Sequence, residues 1–313
     1  MPIKVLSAIW LLGCLLFGSK LQANQLPDVT HTNAVIDNIA RVVNDTYIDP
    51  EKAKHAADLL QAKLAAGEFS ASNEYHWFKT QVHSTLYSAT GDSGFELIRS
   101  SLYGSANSQQ HGQASIESKV LDHNIGYVEI SGKFAFLKSS EVIERYFRAL
   151  RDVNALIIDL RSVDEGNLSL TKKMLGFFVS PNETVGLLYS RGWIEKITAT
   201  GTDNFKQFEA RVPLYILTSS FVTGPWELFS YSLQEAGRAV IVGEETLGLA
   251  SIEALINVGD NLTLAMTSAV ITGRNPSMTW NEEGVVPDYP TARESAFEKA
   301  YSLATQTQLE NRR

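Results

Sequence analysis

Leu214, Tyr215, Ile216 and Leu217 form an apolar, β-prone run, Thr218 to Thr223 make a polar turn, and Trp226, Leu228, Phe229 and Leu233 recur at helical spacing. Strand, turn and helix in this order is the layout of a catalytic elbow, which presents a nucleophile at the top of a sheet. Pro225 suits the first helical position, where its missing N–H is not needed, and Glu227 lies in the first turn, where a carboxylate favours the positive end of the helix dipole. Gly224 is then the cap. Attack on a carbonyl at such an elbow needs a hydroxyl activated by a nearby base. Ser219, Ser220, Thr223 and Ser251 supply hydroxyls, but no partner base is evident for any of them. All six histidines (His31, His55, His76, His83, His111 and His123) precede the elbow.

Two further groups could face a ligand. Asp159 and Arg161 close the apolar run Leu156 to Leu160, where they read either as a structural ion pair or as lining of the crevice at the carboxyl ends of a parallel sheet. Trp193 reads as a core aromatic. Trp226, beside the elbow, is expected to fill or narrow the cleft.

The elbow resembles that of the tail-specific, or C-terminal processing, serine peptidases and their relatives, the modules of interphotoreceptor retinoid-binding protein. Further segments carry the same resemblance: Tyr47 to Ala53; Leu156 to Arg161, an apolar run ending Asp-Leu-Arg; Arg238 to Gly248, ending in Gly-Glu and then Thr-x-Gly; and Trp280 to Asp288, with Gly-x-x-Pro-Asp. The register is set by Glu227. It implies that Gly224 stands at the nucleophilic serine and Leu249 at the lysine base. In relatives with a Ser-His arrangement, Gly94 stands at the histidine. Pro225 stands at the residue whose backbone N–H completes the oxyanion hole, and proline has none. Asp164 and Glu165 stand where a glycine pair supplies the second donor, and two carboxylates there repel an anion.

The resemblance therefore implies no catalytic residue in place and a pseudopeptidase. Its inherited cleft, at Asp159, Arg161, Thr223, Gly224, Trp226, Glu227 and Gly248, is expected to bind a peptide C-terminus or a small apolar ligand. The alternative is an active serine-type endopeptidase that recruits Thr223 or Ser251 with a non-standard base. No cofactor or metal is implied.

These residues need a frame to hold them. Lys4, the apolar run Val5 to Phe17 and Ala23 read as a signal peptide over residues 1–23, so the expected location is periplasmic or extracellular. A lipoprotein reading of Leu12-Gly13-Cys14 is disfavoured, because the apolar run continues where a polar tether would begin. Cleavage there removes Cys14, the only cysteine, and with it any disulfide or cysteine metal site. It also removes Lys4 and Lys20, leaving 25 basic against 35 acidic side chains. That balance disfavours nucleic acid and anionic membrane surfaces as partners.

Apolar periodicity over residues 24–92 predicts a small helical bundle, with Asp49-Pro50 starting its second helix. Residues 93–290 alternate strand and helix: strand Ile125 to Ile130, helix Ser139 to Leu150, strand Leu156 to Leu160, helix Leu168 to Val179, then the elbow, strand Val240 to Val242, and a hairpin at Gly259-Asp260-Asn261. This is an α/β domain, which the resemblance makes a crotonase-like β/α core, and residues 291–313 add a terminal helix. About 28 residues separate Phe95 from Asn124, far short of the ~80 to 90 a PDZ module requires on domain-size grounds.

Overall fold

The computed structural model describes residues 29–70, 74–99, 114–134, 141–164, 166–200, 208, 210–275 and 279–310. The expected signal peptide, His111 and Glu165 lie outside these residues. The chain begins with helices α1 (Val29–Thr46), α2 (Pro50–Ala65) and α3 (Tyr75–Thr90), then β1 (Glu96–Arg99) and β2 (Ser115–Leu121). There follow β3 (Ile125–Gly132), α4 (Glu141–Arg148), β4 (Ala155–Val163), α5 (Leu168–Leu175), β5 (Thr184–Ser190) and β6 (Trp193–Thr198). The elbow elements are β7 (Leu214–Thr218), α6 (Pro225–Glu235) and β8 (Val240–Gly243). The chain ends with β9 (Ser251–Gly259), β10 (Leu262–Thr272), β11 (Tyr289–Pro290) and α7 (Ala296–Glu310). Among the described residues no helix is long and apolar enough to cross a membrane.

Two compact units result. The first joins the N-terminal helices and β1 to Leu255–Met266. Asp49 caps α2 by accepting the N–H groups of Glu51 and Lys52, and Gly91, in the left-handed region, ends α3. Ile36, Ile39, Val43, Leu60, Phe78, Val82 and Leu86 form the core with Leu262, Leu264 and Met266. The tip of the β9–β10 hairpin turns through Asp260 and Asn261, both at positive φ (49° and 59°), as a two-residue hairpin loop requires.

The second unit carries a six-stranded sheet in the order β11-β8-β7-β4-β3-β2, parallel except for β2 against β3. Its central strands are apolar on both faces, as a sheet covered on both sides must be. Ile158, Leu160, Ile216 and Ile241 face Phe147, Met174, Trp226 and Phe229 from the helices α4, α5 and α6. Ile157, Tyr215, Leu217 and Val242 face Ala296, Ala300 and Ala304 of α7.

Three details differ from the sequence expectation. α5 stops at Leu175 rather than Val179: the N–H groups of Phe177 and Phe178 donate to carbonyls three residues back, Met174 and Leu175, and Thr200 N–H takes the Lys172 carbonyl. The β5–β6 hairpin was not anticipated: the first four residues of β6 are exposed, so its side chains show no buried alternation to read. Trp193, at the start of β6, is half exposed rather than a core aromatic.

Candidate functional site

β7 ends at Thr218 and the chain turns through Ser219 to Thr223 into α6. Position 224 has φ 54° and ψ −120°, the conformation of the first central residue of a type II′ turn, which favours glycine. The backbone is therefore a sharp elbow, and its occupant is hydrogen. A Cβ built at 224 would have Leu249 O, at 3.8 Å, as its only near neighbour. Position 224 and the backbone of position 249, which the family resemblance assigns to nucleophile and base, thus come together in space. Leu249 is 46 % exposed and offers no proton acceptor on its side chain.

The amides around the elbow are already engaged. Gly224 N–H donates to Glu227 Oε2 at 2.8 Å, Trp226 N–H to Thr223 O at 3.2 Å, and Leu228 N–H to Gly224 O at 3.1 Å. Pro225 has no N–H to give. Gly166, from the loop after β4, does approach the elbow: a Cβ there would meet Pro225 Cβ at 3.0 Å and Trp226 Cδ1 at 3.2 Å. The two segments that would share an oxyanion hole meet through apolar ring atoms.

Glu227 is fully buried and accepts four hydrogen bonds. Besides Gly224, these come from Thr246 Oγ1 at 2.6 Å, Gly248 N at 2.6 Å and Leu249 N at 2.9 Å. Burial pushes its carboxyl above the ordinary value, against the opposing pull of these donors. Thr246 Oγ1 also accepts Val285 N–H at 2.7 Å, and Gly248 O accepts Glu282 N–H at 2.8 Å. Gly248, at φ +81°, has Glu282 C only 2.8 Å from where a Cβ would lie. Glu227 is thus neither a simple dipole partner nor an open ligand contact; it ties the elbow to the Thr246–Leu249 turn and, through Thr246, to Val285. Sequence reasoning missed Thr246, although the Thr-x-Gly motif contained it.

Trp226 is fully buried, edge to face with Phe134 at 5.5 Å. Its indole is part of the core of this unit.

Asp159 and Arg161 lie elsewhere. The Arg161 guanidinium holds Asp159 through Nε to Oδ1 at 2.9 Å and Nη2 to Oδ2 at 2.6 Å, and Tyr127 donates to Oδ2 at 2.7 Å. The bidentate carboxylate holds Arg161 above its ordinary pKa, while burial and the Asp159 charge raise that of Tyr127. By alternation along β4, Asp159 shares the face of Ile157, toward Tyr127 and α7, whereas α6 covers the opposite face. The two form a largely buried ion pair on that face, and Arg161 Nη1 also donates to Arg293 O at 2.5 Å. Of the predicted cleft residues, Thr223 and Gly224 are partly exposed. No hydrogen bond joins the hydroxyl of Thr223 or Ser251 to a base among the described residues. Gly94, in the other compact unit, donates its N–H to Asp92 Oδ1 at 2.7 Å, while Tyr47 donates to Oδ2 at 3.0 Å. No group of His, Cys, Asp and Glu suited to a metal occurs among the described residues.

The sequence pattern of Peptidase family S41 matches residues 124–291, from the start of β3 to just beyond β11. The chain belongs to peptidase family S41. Among curated proteins, it is 24% identical to the carboxy-terminal processing protease CtpB of Bacillus subtilis over 177 residues, which cover 55% of this chain and 35% of that protein. It is 28% identical to the chloroplastic carboxyl-terminal-processing peptidase 2 of Arabidopsis thaliana over 169 residues, covering 53% and 32%. The matched part thus spans about a third of these relatives' length. Among solved structures, the photosystem II D1 C-terminal processing protease superposes with a TM-score of 0.66 at 13% identity, covering 85% of this chain and 94% of that one. A lipoprotein from Streptococcus agalactiae gives 0.61 at 17%, covering 90% and 98%. Both likenesses concern the fold.

Proposed function

We propose that this S41 protein is a catalytically silent, exported member of its family that binds a peptide C-terminus or a small apolar ligand at the elbow. The observation that carries the reading is the state of position 224. The elbow backbone is formed, but it carries no nucleophile, faces Leu249 instead of a lysine, and is flanked by a proline and by amides already hydrogen-bonded within the protein. Components of a nucleophilic site act as a unit, so their combined loss leaves little of the rate. Export is inferred from Lys4, the apolar run Val5 to Phe17 and Ala23.

The test is to incubate the protein lacking residues 1–23 with unfolded protein and with peptides bearing apolar C-termini. A variant with Thr223 and Ser251 both changed to alanine runs in parallel. Binding or thermal stabilisation without turnover is the expected result. Cleavage that disappears in the double variant would establish the opposing reading, an endopeptidase with a non-standard nucleophile.

A further inference from the structure

Arg293, just before α7, is a cation without a carboxylate partner among the described residues. Its Nη2 group donates to Arg161 O at 3.1 Å and Ser162 Oγ at 3.2 Å, which uses both of that nitrogen's protons. The protons on Nε and Nη1 find no partner among the described residues. The neighbouring Glu244 carboxylate is engaged by backbone groups: Oε1 accepts the N–H of Arg293 itself at 3.2 Å, and Oε2 that of Ser220 at 3.3 Å. Asp159 is occupied by Arg161. The guanidinium is thus fixed on one edge and unmatched on the other.

The Arg293 guanidinium carbon lies 5.4 Å from the centre of the Phe221 ring, and Phe221 is 63 % exposed. Phe221 stands in the β7–α6 turn, three residues before Gly224. The next residue, Val222, accepts the N–H of Leu247 at 3.1 Å, which brings the Thr246–Leu249 turn alongside. On that turn Leu247 is 52 % and Leu249 46 % exposed. Three large apolar side chains are therefore left in water on two segments bordering the elbow. Exposed apolar groups on neighbouring segments offer a surface for an apolar chain, and a planar guanidinium fork matches a carboxylate.

We propose that Arg293 and Phe221 form a carboxylate-binding subsite, which takes an apolar chain ending in a carboxylate and lays its tail along Phe221, Leu247 and Leu249. This rests on the binding reading above and assigns it residues outside the cleft set taken from the sequence. A peptide with an apolar C-terminus and a free fatty acid share the chemistry.

The probes are a dye-labelled decapeptide ending in three leucines with a free carboxylate, the same peptide amidated, and dodecanoate. Binding is measured by fluorescence anisotropy for the peptides and by calorimetry for dodecanoate. Wild type is expected to bind the free acid about 10- to 100-fold more tightly than the amide, the weight of hydrogen bonds to a charged group. Arg293→Gln is expected to equalise the two, and Phe221→Ser to weaken both. Dodecanoate bound with the same dependence on Arg293, without peptide binding, keeps the subsite and identifies a fatty acid as the source. Acid and amide bound equally by wild type, or discrimination surviving in Arg293→Gln, overturns the subsite while leaving the binding function standing. Failure of every probe to bind overturns both. Melting curves verify that the variants fold; if Arg293→Gln does not, the acid–amide contrast in wild type decides alone.

Discussion

Glu227 Oε2 accepts the backbone N–H of Gly224 at 2.8 Å, so the elbow is held by its own helix's first-turn carboxylate. Every hydrogen bond to that carboxylate comes from a donor: three backbone N–H groups and the Thr246 hydroxyl. An amide in its place would turn an NH₂ group toward N–H donors. Glu227→Gln is expected to destabilise the protein by about 2–4 kcal/mol in denaturant titration, the range for disrupting a buried network of charged hydrogen bonds.

Gly224→Ser introduces the hydroxyl without a base or an oxyanion donor. No peptidase activity is expected from it, and any detectable cleavage would refute the account of the elbow. A side chain there meets only ordinary contacts but must adopt φ 54°, so the expected destabilisation is about 1–3 kcal/mol from backbone strain.

Gly248→Ala is expected to be worse than Gly224→Ala. At 248 the strained φ is joined by backbone atoms of Glu282 and Gly284 within 3.0 Å of the new Cβ, and no flexible side chain can give way. Comparing the two melting temperatures tests this; equal losses would mean that the Gly248 turn is looser than the structure shows.

Thr246→Val removes the hydroxyl between Glu227 and Val285 while keeping the side chain's shape. It leaves a buried N–H unsatisfied and is expected to lower stability by about 1–3 kcal/mol, with Thr246→Ser largely rescuing it. An equal loss in Thr246→Ser would point to methyl packing instead.

Arg161→Gln strands the buried Asp159 charge, which is expected to destabilise by about 3–5 kcal/mol. Asp159 lies on the sheet face opposite α6. Urea midpoints for Arg161→Gln and for Arg161→Gln with Asp159→Asn separate the causes: partial recovery in the double variant identifies the stranded charge.

Residue identity and local spacing account for the elements along the chain. Leu214 to Leu217 followed by a polar turn and Pro225 specified strand, elbow and helix, and the Asp49-Pro50 cap started α2. That Gly224 has no nucleophile, Leu249 no base and Pro225 no N–H needs no coordinates, because these are properties of the side chains and backbone themselves. Tertiary structure alone decided where side chains are sent. Glu227 reads locally as a dipole partner; only the Thr246–Leu249 turn, some 20 residues on, makes it a buried acceptor of four bonds. Asp159 and Arg161 read equally as an ion pair or as crevice lining until strand alternation set them against Tyr127, and only the fold brings Phe134 edge to face with Trp226. Arg293 and Phe221 lie 72 residues apart and show no shared periodicity. Periodicity reports which face a residue occupies within one element, whereas the partner on that face is supplied by distant chain that only folding brings near.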